Sequence, residues 1–135
     1  MTPELWYLFL TTVLLGVMWI PHIAGQVMEN GLWTREDYTA LRNIDDYPNW
    51  VRRANRAHVN LVEQYGTFLG LVVLAHLLNI STTMTATAAA VYFWARIVHA
   101  VIFIGGVNIL MARTVVFTVS FLALMVFAWE IYSAI

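Results

Sequence analysis

One segment of the chain combines charged and amide side chains at helical spacing. It carries Arg53, Arg56, Asn60 and Glu63. Successive members are three, four and three residues apart, so they share one face of an α-helix. The surrounding sequence is apolar, and ionisable side chains inside membrane helices usually face protein or a water-filled cavity. This stripe therefore predicts a polar site inside a helical bundle.

A second polar group follows later in the chain. Arg96 and His99 are three residues apart and share a helical face, and Arg113 begins a later apolar segment. The arginines of both groups outnumber the one carboxylate at that depth, Glu63. An excess of buried positive charge predicts an anion, such as a polycarboxylate or a phosphate headgroup. The alternative is an internal ion-pair network, in which Glu63 neutralises Arg96 and Asn60 bonds to the backbone.

The histidines allow two interpretations. The chain has His22, His58, His76 and His99. Each can act as a hydrogen-bond donor in helix packing, and His99 lies on the arginine face. The alternative is haem held between two histidines on facing helices, as in four-helix membrane cytochromes. The sequence contains no cysteine and no HExxH, phosphate loop or nucleophile elbow, so thiolate metal sites and those catalytic classes are not indicated.

Composition places these residues in a membrane protein. Of 135 residues, 61% are hydrophobic and 11% are charged, whereas soluble domains are about 25% charged. The net charge of −1 indicates neither nucleic-acid binding nor a polybasic lipid anchor. We therefore predict an all-α membrane protein, a single transmembrane domain over residues 1–135.

The apolar runs predict four transmembrane helices in an up-down bundle, since a bilayer core needs about 20 helical residues and short links join antiparallel neighbours. Their predicted ranges are Leu5–Met28, Trp50–Asn79, Thr83–Gly106 and Ala112–Ala134, with a polar loop at Glu29–Asn49. Pro21 predicts a kink in the first helix. Gly66 and Gly70 have the GxxxG spacing of close-packed membrane helices.

Arginine placement predicts the orientation. Arginines lie at the first connection and at the third, and the second connection and both termini have none. The positive-inside rule then places the first and third connections in the cytoplasm and both termini on the other side.

The sequence Arg56-Ala-His-Val-Asn60-Leu-Val-Glu63 resembles the second-helix signature of the MAPEG family, the membrane-associated proteins in eicosanoid and glutathione metabolism. The segment from Arg96 through His99 and Phe103, followed by Arg113, is similar to the later part of that pattern. The resemblance spans about residues 5–128. It implies a homotrimer of four-helix protomers, surrounded by membrane lipids, with glutathione bound between protomers near the cytoplasmic side.

The resemblance also implies roles for individual residues. Arg56, Asn60 and Glu63 contact the glutathione peptide, and Arg53 assists Arg56 with a carboxylate. Arg113 stabilises the thiolate, because a nearby cation lowers a thiol pKa. The remaining members of the predicted glutathione site are Gln64, Arg96 and His99.

The chain departs from the family pattern at three positions. Phe103 stands where many active members have a tyrosine that touches glutathione, Gln64 replaces a frequent aromatic residue, and Gly66 replaces a frequent proline.

Two functions remain open. One is a glutathione-dependent transferase or peroxidase that acts on a lipophilic small molecule, and the other is a non-catalytic binding or accessory protein. Similarity to short bacterial members favours a bacterial inner membrane.

Overall fold

A computed structural model describes all 135 residues. The chain is helical throughout, with no β-strand. Five α-helices make up the fold: α1 (Pro3–Val17), α2 (Ile20–Asn30), α3 (Asn49–Leu77), α4 (Thr83–Gly105) and α5 (Ala112–Ala134). Two short 3₁₀ turns, Glu36–Tyr38 and Ile44–Asp46, lie in the polar connection between α2 and α3.

The first predicted helix is interrupted where proline indicated a kink. α1 ends at Val17 and α2 begins at Ile20, with Pro21 in its first turn. Proline has no backbone N–H to donate and tolerates the first turn of a helix, where that donor has no partner. Residues 3–30 therefore form one span broken into two consecutive helices.

Capping residues fix both ends of α4. Thr82 and Thr85 form a reciprocal capping box at its start, each side chain accepting from the other's backbone N–H, which satisfies two otherwise unpaired donors. Gly106 ends the helix in the left-handed conformation at φ +67°, which glycine adopts without a steric penalty. α4 is thereby held at a defined length between its neighbours.

The core lies between α3, α4 and α5. Its largest cluster includes Phe68, Tyr92 and Phe127, and the Phe68 and Tyr92 rings stack with centroids 4.2 Å apart. Ala88 and Ala89 are buried on α4, and such small side chains let helices approach closely. The outer surface carries many exposed large apolar side chains, which suits a lipid environment.

Three segments are long and apolar enough to cross a membrane: residues 3–30, α4 and α5. α3 is not one of them, although its 29 residues exceed the length that a bilayer core requires. The apolar surface supports a membrane protein, and the count of four spans stays a prediction.

The two glycines of the GxxxG spacing do not pack inside the chain. A Cβ built at Gly66 or Gly70 would meet nothing within 4 Å. The single chain therefore does not use this spacing for close helix packing. The tightly packed glycine is Gly25 in α2, where a Cβ would lie 2.6 Å from both the Trp50 ring and a Val51 methyl group.

Candidate functional site

The arginines of the predicted site separate into three groups towards one end of the bundle. The start of α3, the end of α4 and the start of α5 meet there. Arg53 and Arg56 border an open cleft, Arg113 lies in a second cleft, and Arg96 is buried beneath them.

The first cleft is polar and has a volume of about 510 Å³. Its walls are Ile44, Asp45, Asn49, Arg52, Arg53, Asn55, Arg56 and Phe103. Arg52 Nη2 is paired with Asp45 Oδ1 at 2.7 Å. Arg53 and Arg56 have no carboxylate within 4.0 Å. The cleft therefore presents two uncompensated guanidinium groups.

Arg53 connects α3 to the end of α4. Its Nε donates to the Ile104 carbonyl at 3.4 Å, and a Cβ at Gly106 would lie 2.8 Å from the guanidinium carbon. A cation at a helix C-terminus is favoured by the helix dipole. Glycine at position 106 thus allows the left-handed cap and leaves room for the arginine.

Arg113 stacks on an aromatic ring that the two clefts share. Its guanidinium carbon lies 4.9 Å from the centroid of Phe103, within the range of a cation–π contact. Phe103 also borders the arginine cleft, while Arg113 lines the second cleft, of about 370 Å³. One half-buried ring therefore separates Arg113 from Arg53 and Arg56.

Arg96 is 2% exposed and has no ionic partner. Its Nη2 donates to Asn60 Oδ1 at 2.6 Å, and its Nη1 donates to Gln64 Oε1 at 3.1 Å and to Ser120 Oγ at 3.4 Å. Its Nε is buried without a partner, and the Phe117 ring lies 6.0 Å away. Uncharged hydrogen-bond acceptors, two amide oxygens and one hydroxyl oxygen, therefore stabilise this buried cation.

The sequence matches the MAPEG family model over residues 5–133. The chain belongs to the MAPEG family. A comparison with curated proteins found no match. The family match covers both polar groups and nearly the whole chain, so the resemblance drawn from the stripe on α3 is confirmed.

Within this MAPEG chain, Glu63 lies apart from the arginines. It is exposed on the outer face of α3 and forms no ion pair. The ion-pair alternative, with Glu63 neutralising Arg96, is therefore wrong for the single chain: Asn60, Gln64 and Ser120 fill that role. The expectation of several buried arginines also needs correction, because only Arg96 is fully buried.

The two histidines that contact each other are not arranged as a pair of haem ligands. His22 and His58 stack face to face, with centroids 5.4 Å apart and planes 22° from parallel. Stacked faces do not direct two ring nitrogens at a common iron. His99 is 3% exposed and packs against the Phe103 and Phe117 rings, so it lies between Arg96 and the clefts as a packing residue.

Sequence reasoning missed two polar contributors. Ser120 is an isolated serine in an apolar helix, and only the fold places it beside Arg96. Glu4 is buried at the opposite end, where both Ser81 and Thr85 donate to its carboxylate. In the sequence, Glu4 could have been recognised as a carboxylate at the start of an apolar run. A buried carboxylate therefore lies at the end of the bundle opposite the two arginine clefts.

Arg42 organises the polar connection near the arginine end. It binds Asp37 through two hydrogen bonds of 2.7 and 2.6 Å, and it also donates to the carbonyls of Gly31 and Leu32. The hydrogen bond from Arg42 is the main reason that the pKa of Asp37 falls to about 2. The connection, hereafter the tied loop, is thus held by the hydrogen bonds of Arg42.

Proposed function

We propose that this MAPEG protein is a glutathione-dependent membrane transferase or peroxidase for lipophilic electrophiles or hydroperoxides. The observation that carries the proposal is the charge at one bundle end. Arg53, Arg56, Arg96 and Arg113 all lack a carboxylate within 4.0 Å. The first cleft has one aspartate against three arginines on its walls, and a cleft with excess positive charge suits an anionic ligand; glutathione brings two carboxylates.

The arginine cleft would hold the peptide part of glutathione. Arg56 is exposed and Arg53 is half-buried, so both guanidinium groups can reach a ligand carboxylate in bidentate fashion. The cleft volume of about 510 Å³ is within the range of small-molecule sites.

Arg113 would stabilise the thiolate. A cation beside the sulfur lowers the thiol pKa and raises the thiolate fraction near neutral pH. In transfer, the thiol proton leaves to solvent, the sulfur forms a bond to the electrophilic carbon, and the leaving group departs with its electron pair. Apolar substrate would arrive from the bilayer alongside α4 and α5.

A peroxidase reaction would use the same thiolate. Sulfur attacks the terminal oxygen of the hydroperoxide, the O–O bond breaks, and the alkoxide takes a proton to become an alcohol. A second glutathione then displaces water from the sulfenic acid and yields glutathione disulfide. Two glutathione molecules are oxidised for each hydroperoxide reduced.

We also propose a homotrimer of four-span protomers, with the second copy covering the outer face of α3. That face carries exposed Glu63 beside open Gly66 and Gly70. A carboxylate facing lipid is unfavourable, and open glycines allow close helix contact. Glu63 would then meet the glutathione ammonium group at the interface. The arginine end would face the cytoplasm of a bacterial inner membrane.

The competing function is a non-catalytic binding or accessory protein. The observation that favours it is Phe103, which has no hydroxyl to offer a ligand and stacks with Arg113. Turnover of chlorodinitrobenzene or cumene hydroperoxide by the purified protein separates the two. We expect glutathione-dependent turnover that Arg113→Ala strongly reduces. Binding of glutathione with no turnover of either substrate class would support the accessory function instead.

A further inference from the structure

Arg96 belongs to the predicted ligand-binding set, yet it is out of a ligand's reach. The side chain is 2% exposed. Its hydrogen bonds instead go to two amides on α3, Asn60 and Gln64.

The chemistry of arginine fixes how these amides are turned. A guanidinium group only donates hydrogen bonds, so each amide must present its oxygen to Arg96. The NH₂ group of each amide then faces away from the cation. Neither NH₂ nitrogen makes a hydrogen bond within the chain, and neither is a buried unpaired atom. Both residues are partly exposed.

We propose that Arg96 is a positioning residue that locks Asn60 and Gln64 as a pair of outward N–H donors, which recognise a carbonyl or carboxylate oxygen of the thiol peptide. The inference rests on the proposed function and adds to it. Asn60 and Gln64 are four residues apart, so their side chains are neighbours on one helical face. The buried charge also polarises both amides and strengthens their outward donors.

This arrangement makes Gln64 a specificity determinant. Two donors backed by a cation favour an oxygen acceptor and disfavour an ammonium group. The ammonium of the same ligand would be directed to exposed Glu63, next to Gln64 in sequence.

The most direct test replaces Gln64 by glutamate. In Gln64→Glu the carboxylate still accepts from Arg96, so the helical fold is retained and its thermal stability is unchanged or higher. The outward donor is lost, because a carboxylate only accepts. We expect glutathione affinity, measured by calorimetry in detergent, to fall roughly tenfold or more.

Gln26→Glu is the matched control. It makes the same chemical change at the other glutamine of the chain, a half-buried residue of α2 that lines neither cleft, and it leaves the amide donors intact. We expect less than about a threefold loss of affinity, because neither donor is changed. Equal losses in the two variants would overturn the proposal, because charge alone would then explain both.

A second readout tests the orientation directly. The chain has two glutamines, Gln26 and Gln64, so selective ¹⁵N labelling of glutamine gives two side-chain NH₂ signals. Glutathione should shift the Gln64 signals and leave those of Gln26 in place. Arg96→Met should abolish that shift and Arg96→Lys should partly retain it.

The outcomes separate the two proposals. If the wild-type protein binds no glutathione at millimolar concentration, both the proposed function and the proposed role of the donor pair are overturned. If glutathione binds while the Gln64 signals stay fixed at saturation, the donor pair alone is overturned.

Discussion

Arg96 and Arg113 carry the same charge in different surroundings. Arg96 is enclosed by three oxygen acceptors, whereas Arg113 is exposed and stacks on the Phe103 ring. An arginine that contacts a reacting sulfur must have a mobile side chain that solvent and ligand can reach. This contrast supports the proposals that Arg96 positions other side chains and that Arg113 contacts the thiolate.

Replacing Arg113 should shift the pH dependence of turnover. A neighbouring cation lowers an acidic pKa by roughly 1–3 units, so Arg113→Ala should raise the apparent thiol pKa in the kcat profile by about one unit or more. Less thiolate then forms at neutral pH, and the rate falls about tenfold. Arg113→Lys should retain much of the effect, because it retains a cation.

Arg35→Ala serves as the matched control for this prediction. Arg35 is an exposed arginine in the polar connection with no ion pair. Its removal changes net charge equally and should leave the profile in place. An Arg113→Ala profile that coincides with the wild-type one would reject Arg113 as the thiolate stabiliser.

At the scale of elements, packing between α2 and α3 depends on one glycine. A Cβ on Gly25 would come within 2.6 Å of Trp50 and Val51, and such overpacking costs about 1–3 kcal/mol. Gly25→Ala should therefore lower stability by that amount in denaturation from mixed micelles. The N-terminal end of α3, which carries the arginine cleft, should loosen with it.

Gly16→Ala is the control at the same scale. A Cβ at Gly16 meets nothing within 4 Å, and alanine is favoured over glycine inside a helix by about 0.5–1 kcal/mol. Stability should stay the same or rise. A loss equal to that of Gly25→Ala would contradict the packing described for α2.

The polar connection should respond to acid through Asp37. Its pKa is lowered to about 2 by Arg42, below the usual carboxyl value of about 3.9. A lowered folded-state pKa gives stability that is complete above the unfolded value and is lost as pH falls towards 2. The tied loop should thus persist at neutral pH and open between about pH 4 and 2.

Pepsin cleavage over that range measures the opening. The wild-type loop should be cut faster as pH falls, after correction with an unfolded reference substrate. Asp37→Asn, which lacks the charge, should be cut faster than the wild-type loop near pH 4 and should vary less with pH. Parallel pH profiles for the two proteins would show that the Asp37–Arg42 pair does not hold the loop.

At the scale of the whole molecule, the outer face of α3 should mediate assembly. Gly66→Leu adds bulk where the single chain has open space, so the protomer should fold normally and the trimer should weaken. Native mass spectrometry from detergent reports the change. Gly16→Leu also has open space and should stay trimeric. Unaltered trimers of Gly66→Leu would place the interface elsewhere.

Periodicity and apolar length predicted much of this molecule. Pro21 indicated the break after α1, and the spacing from Arg53 to Glu63 placed one stripe on α3. Contacts between helices were beyond such patterns, because spacing along one helix does not say which residue faces it from another. Arg96 consequently met two amides and Ser120 instead of Glu63.

Glutathione binding tests the central claim most directly. Calorimetry on the detergent-purified protein should detect binding at millimolar glutathione or below, and Arg56→Ala should weaken it about tenfold or more, because it removes a charge-assisted hydrogen bond. Arg35→Ala should bind like the wild-type protein. No heat of binding from the wild-type protein at millimolar glutathione would contradict a glutathione site in the arginine cleft.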